Sequence, residues 1–321
     1  MPAVIHPSRI LVCDHRGEDL AASLTELEGL GFQLDRSASL RETLSRLEDD
    51  PPDAILLDPL SPRGSAELGA IDRARMLGKN GAERPPSPLL VLLEGHDVEG
   101  PVRAARSLKA GLWDVASRQA RAEEIGLRLR RLLDQRQALL EMDELRHRAS
   151  HDDRTDLLRP KAFQARLAEH FSAAQRHDHE LALVLLDLDR FGAVNKRHDH
   201  TVGDELITRV GDAIRKTLRI EDIAGRLGGD EFAVLLPYTG PLNASLVVNR
   251  LRSEIKKLSG RIGRADEEVE VSASIGFETY NGKGKDLDSI DTLRAHAERA
   301  LRVAKQRGGD QGVYFRGLGE G

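Results

Sequence analysis

The sequence predicts an α/β protein in two parts: a doubly wound parallel sheet, then, after a helical linker, a second sheet organised around a hairpin. Three observations predict it. Short apolar runs alternate with stretches of helical spacing early in the chain, a Leu-, Arg- and Glu-rich segment lacks proline from 125 to 149, and later a strand and a Gly-Gly hairpin both carry carboxylates at their ends. A chain of 321 residues is most simply two domains, each long enough to bury its own core.

In order along the chain, Ile10 to Cys13, Ala54 to Leu57, Leu89 to Leu93 and Leu112 to Ala116 read as buried strands, separated by helical spacing such as Leu20, Leu24, Leu27 and Leu30. Strands alternating with helices imply a parallel sheet, in which ligands gather at the carboxyl ends of strands. Asp14 and Asp58 fall at two such ends. The linker places Ile125, Leu132 and Leu139 seven residues apart, as it does Leu133 and Leu140. That spacing predicts either a helix with a seam for a second copy or one solvated linker helix.

Leu181 to Asp189 is an apolar run that stops on Asp187 and Asp189, predicting a buried strand with both carboxylates on one face. Ile220 to Leu227 and Phe232 to Leu236 predict a hairpin whose tip is Gly228-Gly229. Glycine tolerates positive φ and lets backbone N–H groups approach a ligand, so this tip suits a polyphosphate. Asp230 and Glu231 follow at once. A strand ending in Asp beside such a tip makes an all-oxygen site for a hard cation such as magnesium; the rival reading is an ordinary hairpin with solvated acids.

Composition excludes several classes. Net charge is −5 with both signs interspersed, and aromatics are only 3%, so neither a basic footprint nor a stacking platform for nucleic acid is present. Cys13 is the single cysteine, which rules out an intramolecular disulfide. No apolar run approaches the ~20 residues of a membrane helix, and the opening residues lack a signal peptide's basic and apolar sections. A cytoplasmic protein without membrane insertion is expected.

The segment from His151 to Phe315 resembles the GGDEF-domain diguanylate cyclases. The resemblance rests on Arg226-Leu227-Gly228-Gly229-Asp230-Glu231-Phe232, on His151-Asp152 with Thr155 and Leu157, and on Asp187-Leu188-Asp189 with Phe191 and Asn195. His200 to Asp204, Val271 to Gly276, and Ala300-Leu301 with Ala304-Lys305 extend it. It implies a mixed sheet flanked by helices over 151–321, and condensation of two GTP into cyclic di-GMP with release of pyrophosphate. It also implies a homodimer, since each domain holds one GTP, and Mg2+ (or Mn2+) as cofactor.

By resemblance, Asp187, the Leu188 carbonyl, Asp230 and Glu231 bind the metal, and Asp230 or Glu231 helps deprotonate the nucleophile. Asn195, His200, Asp204, Gly228, Gly229 and Lys305 belong to the substrate site. Asp204 also has a direct reading, because a carboxylate accepts from guanine N1–H and N2–H2 whereas adenine offers an acceptor at N1. Arg219 and Asp222, expected on the strand entering the hairpin, resemble the family's product-binding inhibitory motif, with Arg250 as a second arginine. The opening motif departs from the pattern at Arg154, Asp156, Arg159 and Pro160, where Leu, Gly, Asn and Arg are usual; Gly309-Asp310 stands where Arg-Asn is common.

Residues 8–124 resemble response-regulator receiver domains, with 125–150 as the linker. Asp58 is then the phosphoacceptor, supported by Asp14, and a sensor histidine kinase the implied partner. His15 replaces a second acid, Leu93 stands for the expected hydroxyl residue and Arg118 for the expected lysine. The alternative is a receiver-shaped dimerisation module without phosphorylation. For the whole chain, the alternatives to a cyclase are a cyclic di-GMP receptor using Arg219 and Asp222, and a metal phosphohydrolase suggested by His96-Asp97, His151-Asp152, His177-Asp178 and His198-Asp199.

Overall fold

The computed structural model describes residues 7–15, 21–58, 65–77, 84–94, 99–197, 200–262, 267–282, 287 and 289–319. The chain divides into two compact units, Met1–Glu144 and Leu145–Gly321. His96-Asp97 and His198-Asp199 lie outside the described residues.

The first unit contains β1 (Arg9–Asp14), α1 (Ala21–Gly29), β2 (Gln33–Ser37), α2 (Leu40–Asp49), β3 (Ala54–Asp58), α3 (Ser65–Ala74), β4 (Leu89–Leu93), α4 (Gly100–Ser107) and β5 (Trp113–Ser117). Its strands pair in parallel in the order β2-β1-β3-β4-β5. Continuous apolar runs form β3 and β4 because both faces of such a sheet are covered. The chain reverses direction across the sheet between β1 and β3, whose final residues Asp14 and Asp58 are register partners.

One polar network fastens this unit. Arg75 is fully buried, yet its guanidinium donates to Asp72 and to the carbonyls of Ser87, Ala110 and Leu112. Asp72 in turn accepts from the amides of Lys109 and Ala110. A buried charge is tolerable only when its donors are filled in this way.

The linker is helical as predicted: α5 runs from Ala122 to Ser150. Its seam is only partly open. Ile125, Leu129 and Leu132 are buried in the core of the parallel sheet, whereas Leu139, Met142 and Leu145 remain exposed.

The second unit continues with α6 (Pro160–His177), β6 (Glu180–Leu188), α7 (Phe191–Arg197), α8 (His200–Thr217), β7 (Ile223–Gly228), β8 (Glu231–Pro237), α9 (Pro241–Lys256), β9 (Gly260–Ile262), β10 (Glu267–Val269), β11 (Ala273–Asn281), α10 (Ile290–Gln306) and β12 (Gly312–Tyr314). The main sheet is mixed, ordered β12-β11-β6-β8-β7, with β6 antiparallel to both neighbours and β12 parallel to β11. Helices α8 and α9 cover one face and α6 and α10 the other. The close approach of α10 is made by Gly276: a Cβ there would sit 2.0 Å from the Leu301 amide nitrogen.

Candidate active site

The site grows from the central strand. β6 ends at Leu188, one residue earlier than its apolar run suggests, and in the sheet register Asp187 lies opposite Glu231, the first residue of β8. The Leu188 amide donates to the Asp230 carbonyl at 3.3 Å, fixing the hairpin tip against the end of β6. Gly228 and Gly229 have φ of +153° and +51°, so both use the positive-φ freedom expected of the tip.

Asp187 is the buried carboxylate of the group, at 7% exposure, whereas Asp230 is half-buried and Glu231 exposed. Lys305 Nζ of α10 lies 2.6 Å from Asp187 Oδ2. Burial pushes the Asp187 carboxyl above the usual carboxylate range; Lys305 opposes the rise, and the charges of Asp230 and Glu231 add to it. Thus the predicted acids and Lys305 share one neighbourhood. Among the described residues no three acids or imidazoles form a ready metal cluster. Magnesium ordinarily needs only one or two protein carboxylates besides substrate phosphates, and an all-oxygen set of Asp187, Asp230, Glu231 and the Leu188 carbonyl fits that chemistry.

Asp189 lies one residue beyond the strand but on the side of Asp187, as expected, for it bonds Ser274, the register partner of Asp187. It lies in the turn after β6, where it accepts from Ser272 Oγ at 2.7 Å, Ser274 Oγ at 2.6 Å and the Asp310 amide at 2.8 Å. Gly309 is needed beside it: its φ is +81°, and a Cβ would approach the Asp189 carboxylate to 2.8 Å. The Gly309-Asp310 departure therefore serves this cage, with Asp310 also bound by Arg252 and Lys256.

The hairpin tip is clamped by a residue the sequence reading left without a role. Arg226 donates from Nε and Nη2 to the Gly229 carbonyl at 3.1 and 2.8 Å, and from Nη1 to both Asp152 oxygens at 3.1 and 3.2 Å. Asp152 also accepts from the Thr155 amide and hydroxyl at 3.1 and 2.8 Å. Burial alone would raise the Asp152 carboxyl, but the bonds from Thr155 and Arg226 outweigh it and hold it below its ordinary value.

The remaining substrate candidates gather on α7 and α8. Asn195 Oδ1 is buried without a hydrogen-bond partner among the described residues. It occupies the space over Gly203, where a Cβ would come within 1.9 Å of it. The neighbouring Asp204 pairs with Arg154 Nη1 at 2.7 Å. His200 is the first residue of α8.

Arg219 and Asp222, expected on the strand entering the hairpin, lie instead in the turn before β7. Asp222 Oδ2 accepts from the Arg219 amide at 2.9 Å, and the Asp222 amide donates to the Arg219 carbonyl at 3.2 Å, so the motif closes on itself. Burial raises the Asp222 carboxyl and Glu221 adds to the rise, while the Arg219 amide and the Arg219 and Arg250 charges oppose it. Arg250 Nη2 donates to the Thr217 carbonyl at 2.5 Å. The Arg219 side chain is 66% exposed, its guanidinium 3.9 Å from Glu221 Oε1.

In the first unit, Asp58 is 1% exposed and its Oδ2 lies 3.0 Å from Arg118 Nε. His15 donates its amide to the Asp58 carbonyl at 3.2 Å, and its ring bridges Glu67 and Thr43. Arg118 therefore does face the candidate phosphoacceptor. Leu93 packs into the core at the end of β4. The described His-Asp pairs do not converge: His151 stacks on His147 at 3.9 Å, while Asp152 is turned to Arg226.

A sequence profile described as diguanylate cyclase, GGDEF domain, matches residues 149–311. The chain belongs to the GGDEF family. Its GGDEF domain is 34% identical over 172 residues to the bifunctional diguanylate cyclase/cyclic di-GMP phosphodiesterase MucR of Pseudomonas aeruginosa, covering 54% of this chain and 24% of that protein. It is 33% identical over 165 residues to the diguanylate cyclase TpbB of the same species, covering 51% of this chain and 37% of that one. The chain thus spans a minor part of the length of these relatives. The coiled coil and GGDEF domain of DgcB from Caulobacter crescentus, solved in complex with c-di-GMP, superposes with a TM-score of 0.54 at 23% identity, covering 60% of this chain and 99% of that one. That likeness establishes the fold of the GGDEF domain. Among the described residues no helix is long and apolar enough to cross a membrane.

Proposed function

We propose that the chain is a diguanylate cyclase that condenses two GTP into cyclic di-GMP and two pyrophosphates as a homodimer. The observation that carries this reading is the register of Asp187 against Glu231 beside a positive-φ Gly-Gly tip, with Asp230 and Lys305 in the same neighbourhood. Each 3'-hydroxyl attacks the α-phosphorus of the opposite GTP, forming a P–O bond as the bond to the β-phosphate oxygen breaks. Two such attacks close the ring. Dimerisation converts the encounter of two loaded domains into a positioned attack.

Asp187, Asp230, Glu231 and the Leu188 carbonyl would hold magnesium or manganese, which when bound neutralises triphosphate charge. Glu231, exposed at the start of β8, is the residue suited to accept the hydroxyl proton, since Asp187 is engaged by Lys305. Lys305, paired with Asp187 at 2.6 Å, would offer its cation to the phosphates. Gly228 and Gly229 leave their backbone open to phosphate oxygens. Asn195 and Asp204 read guanine, with His200 at the same helix end. Arg219, Asp222 and Arg250 bind product.

The parallel-sheet unit is proposed to regulate this chemistry as a receiver, with Asp58 accepting phosphate from a sensor kinase and Asp14 assisting. Arg118 facing Asp58 supports that assignment, because it stands where a cation would contact the phosphoryl group. Incubation of the purified chain with GTP and magnesium, with products resolved by mass spectrometry, tests the activity. Wild type is expected to yield cyclic di-GMP and Glu231→Ala none, at unchanged melting temperature. Absence of any cyclic dinucleotide across a range of protein concentrations would overturn the enzyme reading.

A further inference from the structure

We propose that Arg154 is a specificity-determining residue of the base site, donating to guanine O6 while its neighbour Asp204 takes the N1–H and N2–H2 groups. The inference rests on the reading of Asp204 as a guanine contact. Three observations support it. Arg154 Nη1 lies 2.7 Å from Asp204 Oδ1. The Arg154 backbone is held, because its amide donates to Asp152 Oδ1 at 3.3 Å and the next residue, Thr155, is 1% exposed and pressed on α8 where a Cβ on Gly211 would come within 2.7 Å of it. Gly203, the residue before Asp204, leaves room for Asn195 Oδ1, a buried acceptor without a hydrogen-bond partner among the described residues.

The chemistry then follows from the edge of the base. Guanine presents O6, N1–H and N2–H2 in that order: acceptor, donor, donor. A carboxylate can satisfy the two donors but leaves O6 needing a donor from the side. A guanidinium already bonded to that carboxylate has further N–H groups in a fixed plane and supplies one. Adenine presents a donor at N6 and an acceptor at N1, so it would set donor against donor and acceptor against acceptor. Sites built to hydrogen-bond a group reject analogues that leave their own polar atoms unpaired. The rival reading is a surface ion pair, since both side chains are about half exposed, and such pairs contribute little by themselves.

The test is calorimetric binding of α,β-methylene GTP and α,β-methylene ATP, which resist attack at the α-phosphate, to wild type, Arg154→Leu, Arg154→Lys and Asp204→Asn. Arg154→Leu is expected to weaken the guanine analogue about tenfold and to change the adenine analogue less than twofold, with Arg154→Lys recovering part of the loss. Melting curves establish that each variant is folded. Unchanged or tighter guanine binding in Arg154→Leu would overturn the proposal, the second result identifying Arg154 as a competitor for Asp204. Equal loss for both nucleotides would also overturn it, as a structural effect. If wild type shows no preference for guanine and Asp204→Asn changes nothing, the underlying base-site reading has failed instead.

Discussion

Replacing Arg226 with alanine tests the clamp on the catalytic hairpin. The arginine makes two bonds to the Gly229 carbonyl and two to Asp152, and the side chains are only 11% and 21% exposed, so solvent screens them weakly. Hydrogen bonds involving a charged group contribute about 1.5–3 kcal/mol each, and the four here share one guanidinium. Arg226→Ala should therefore cost about 2–4 kcal/mol, or on the order of 5–15 °C in melting temperature for a unit of this size. Trp113 is the only tryptophan and lies in the first unit, so its fluorescence transition should stay in place while the far-ultraviolet circular dichroism transition of the second unit falls. The sign with pH is also fixed. Asp152 is held below its ordinary value, so its contribution is present above the unfolded carboxylate range of about 3.9 and is lost as pH falls through the folded value. The difference between wild type and variant should be full at neutral pH and shrink in acid. With the Gly229 carbonyl released, cyclic di-GMP formation should fall at least tenfold in the fraction that stays folded. A loss under about 0.5 kcal/mol with unchanged turnover, or a difference independent of pH, would refute the clamp.

Three further outcomes are expected. Gly276→Ala forces a methyl 2.0 Å from the Leu301 backbone and should lower the stability of the second unit by about 3 kcal/mol or more in denaturant melts, because backbone cannot step aside as a side chain can. Asp58→Ala should abolish labelling by a small phosphodonor, and wild-type labelling should itself be slow, since Asp58 has to exchange Arg118 for the donor; equal incorporation in both proteins would remove Asp58 as the site. Arg219→Ala should weaken cyclic di-GMP binding by up to about a hundredfold in titration calorimetry, the loss of a paired arginine contact to guanine costing ~1–3 kcal/mol, and should raise product accumulation.

The sheets were legible wherever a strand is buried on both faces. Ile10 to Cys13, Ala54 to Leu57 and Leu89 to Leu93 all lie in strands of the parallel sheet, and so does Leu112 to Ala116 apart from Leu112, since β5 starts at Trp113. β2 was not, because Gln33–Ser37 is an edge strand with one apolar residue, Leu34, and its polar side chains carry no period. The same kind of limit misplaced two features of the site. Hydrophobic pattern cannot tell that β6 stops at Leu188, so Asp189 read as the last residue of the strand rather than the centre of a cage in the turn after it. Nor does it distinguish a strand from a short turn at Arg219 to Asp222, where the deciding contact is a carboxylate bonded to a backbone amide three residues back. The heptad spacing could not show which part of its stripe is free: Ile125 and Leu132 are covered by the parallel sheet, whereas Leu139 is exposed.

Of the departures from the family pattern in the opening turn, the structure gives Arg154, Asp156 and Arg159 each a partner. Asp156 has φ of +57°, a conformation for which glycine is favoured and aspartate is among the better-tolerated alternatives. Its carboxylate then bonds His147 and Arg215, which glycine could not do. Arg159 donates to the His151 carbonyl at 2.6 Å and pairs with Asp153, and Pro160 takes the first position of α6, where its missing N–H is not needed. Asp156 and Arg159 gain bonds and Pro160 suits the start of α6, and all three leave the acids on β6 and the hairpin untouched. Arg154 alone points outward from the turn to a residue of the substrate reading. Asp156 and Arg154 both reach α8, but Asp156 meets Arg215, which has no part in the proposed chemistry, whereas Arg154 meets Asp204, so the test of Arg154 is nucleotide choice as well as stability.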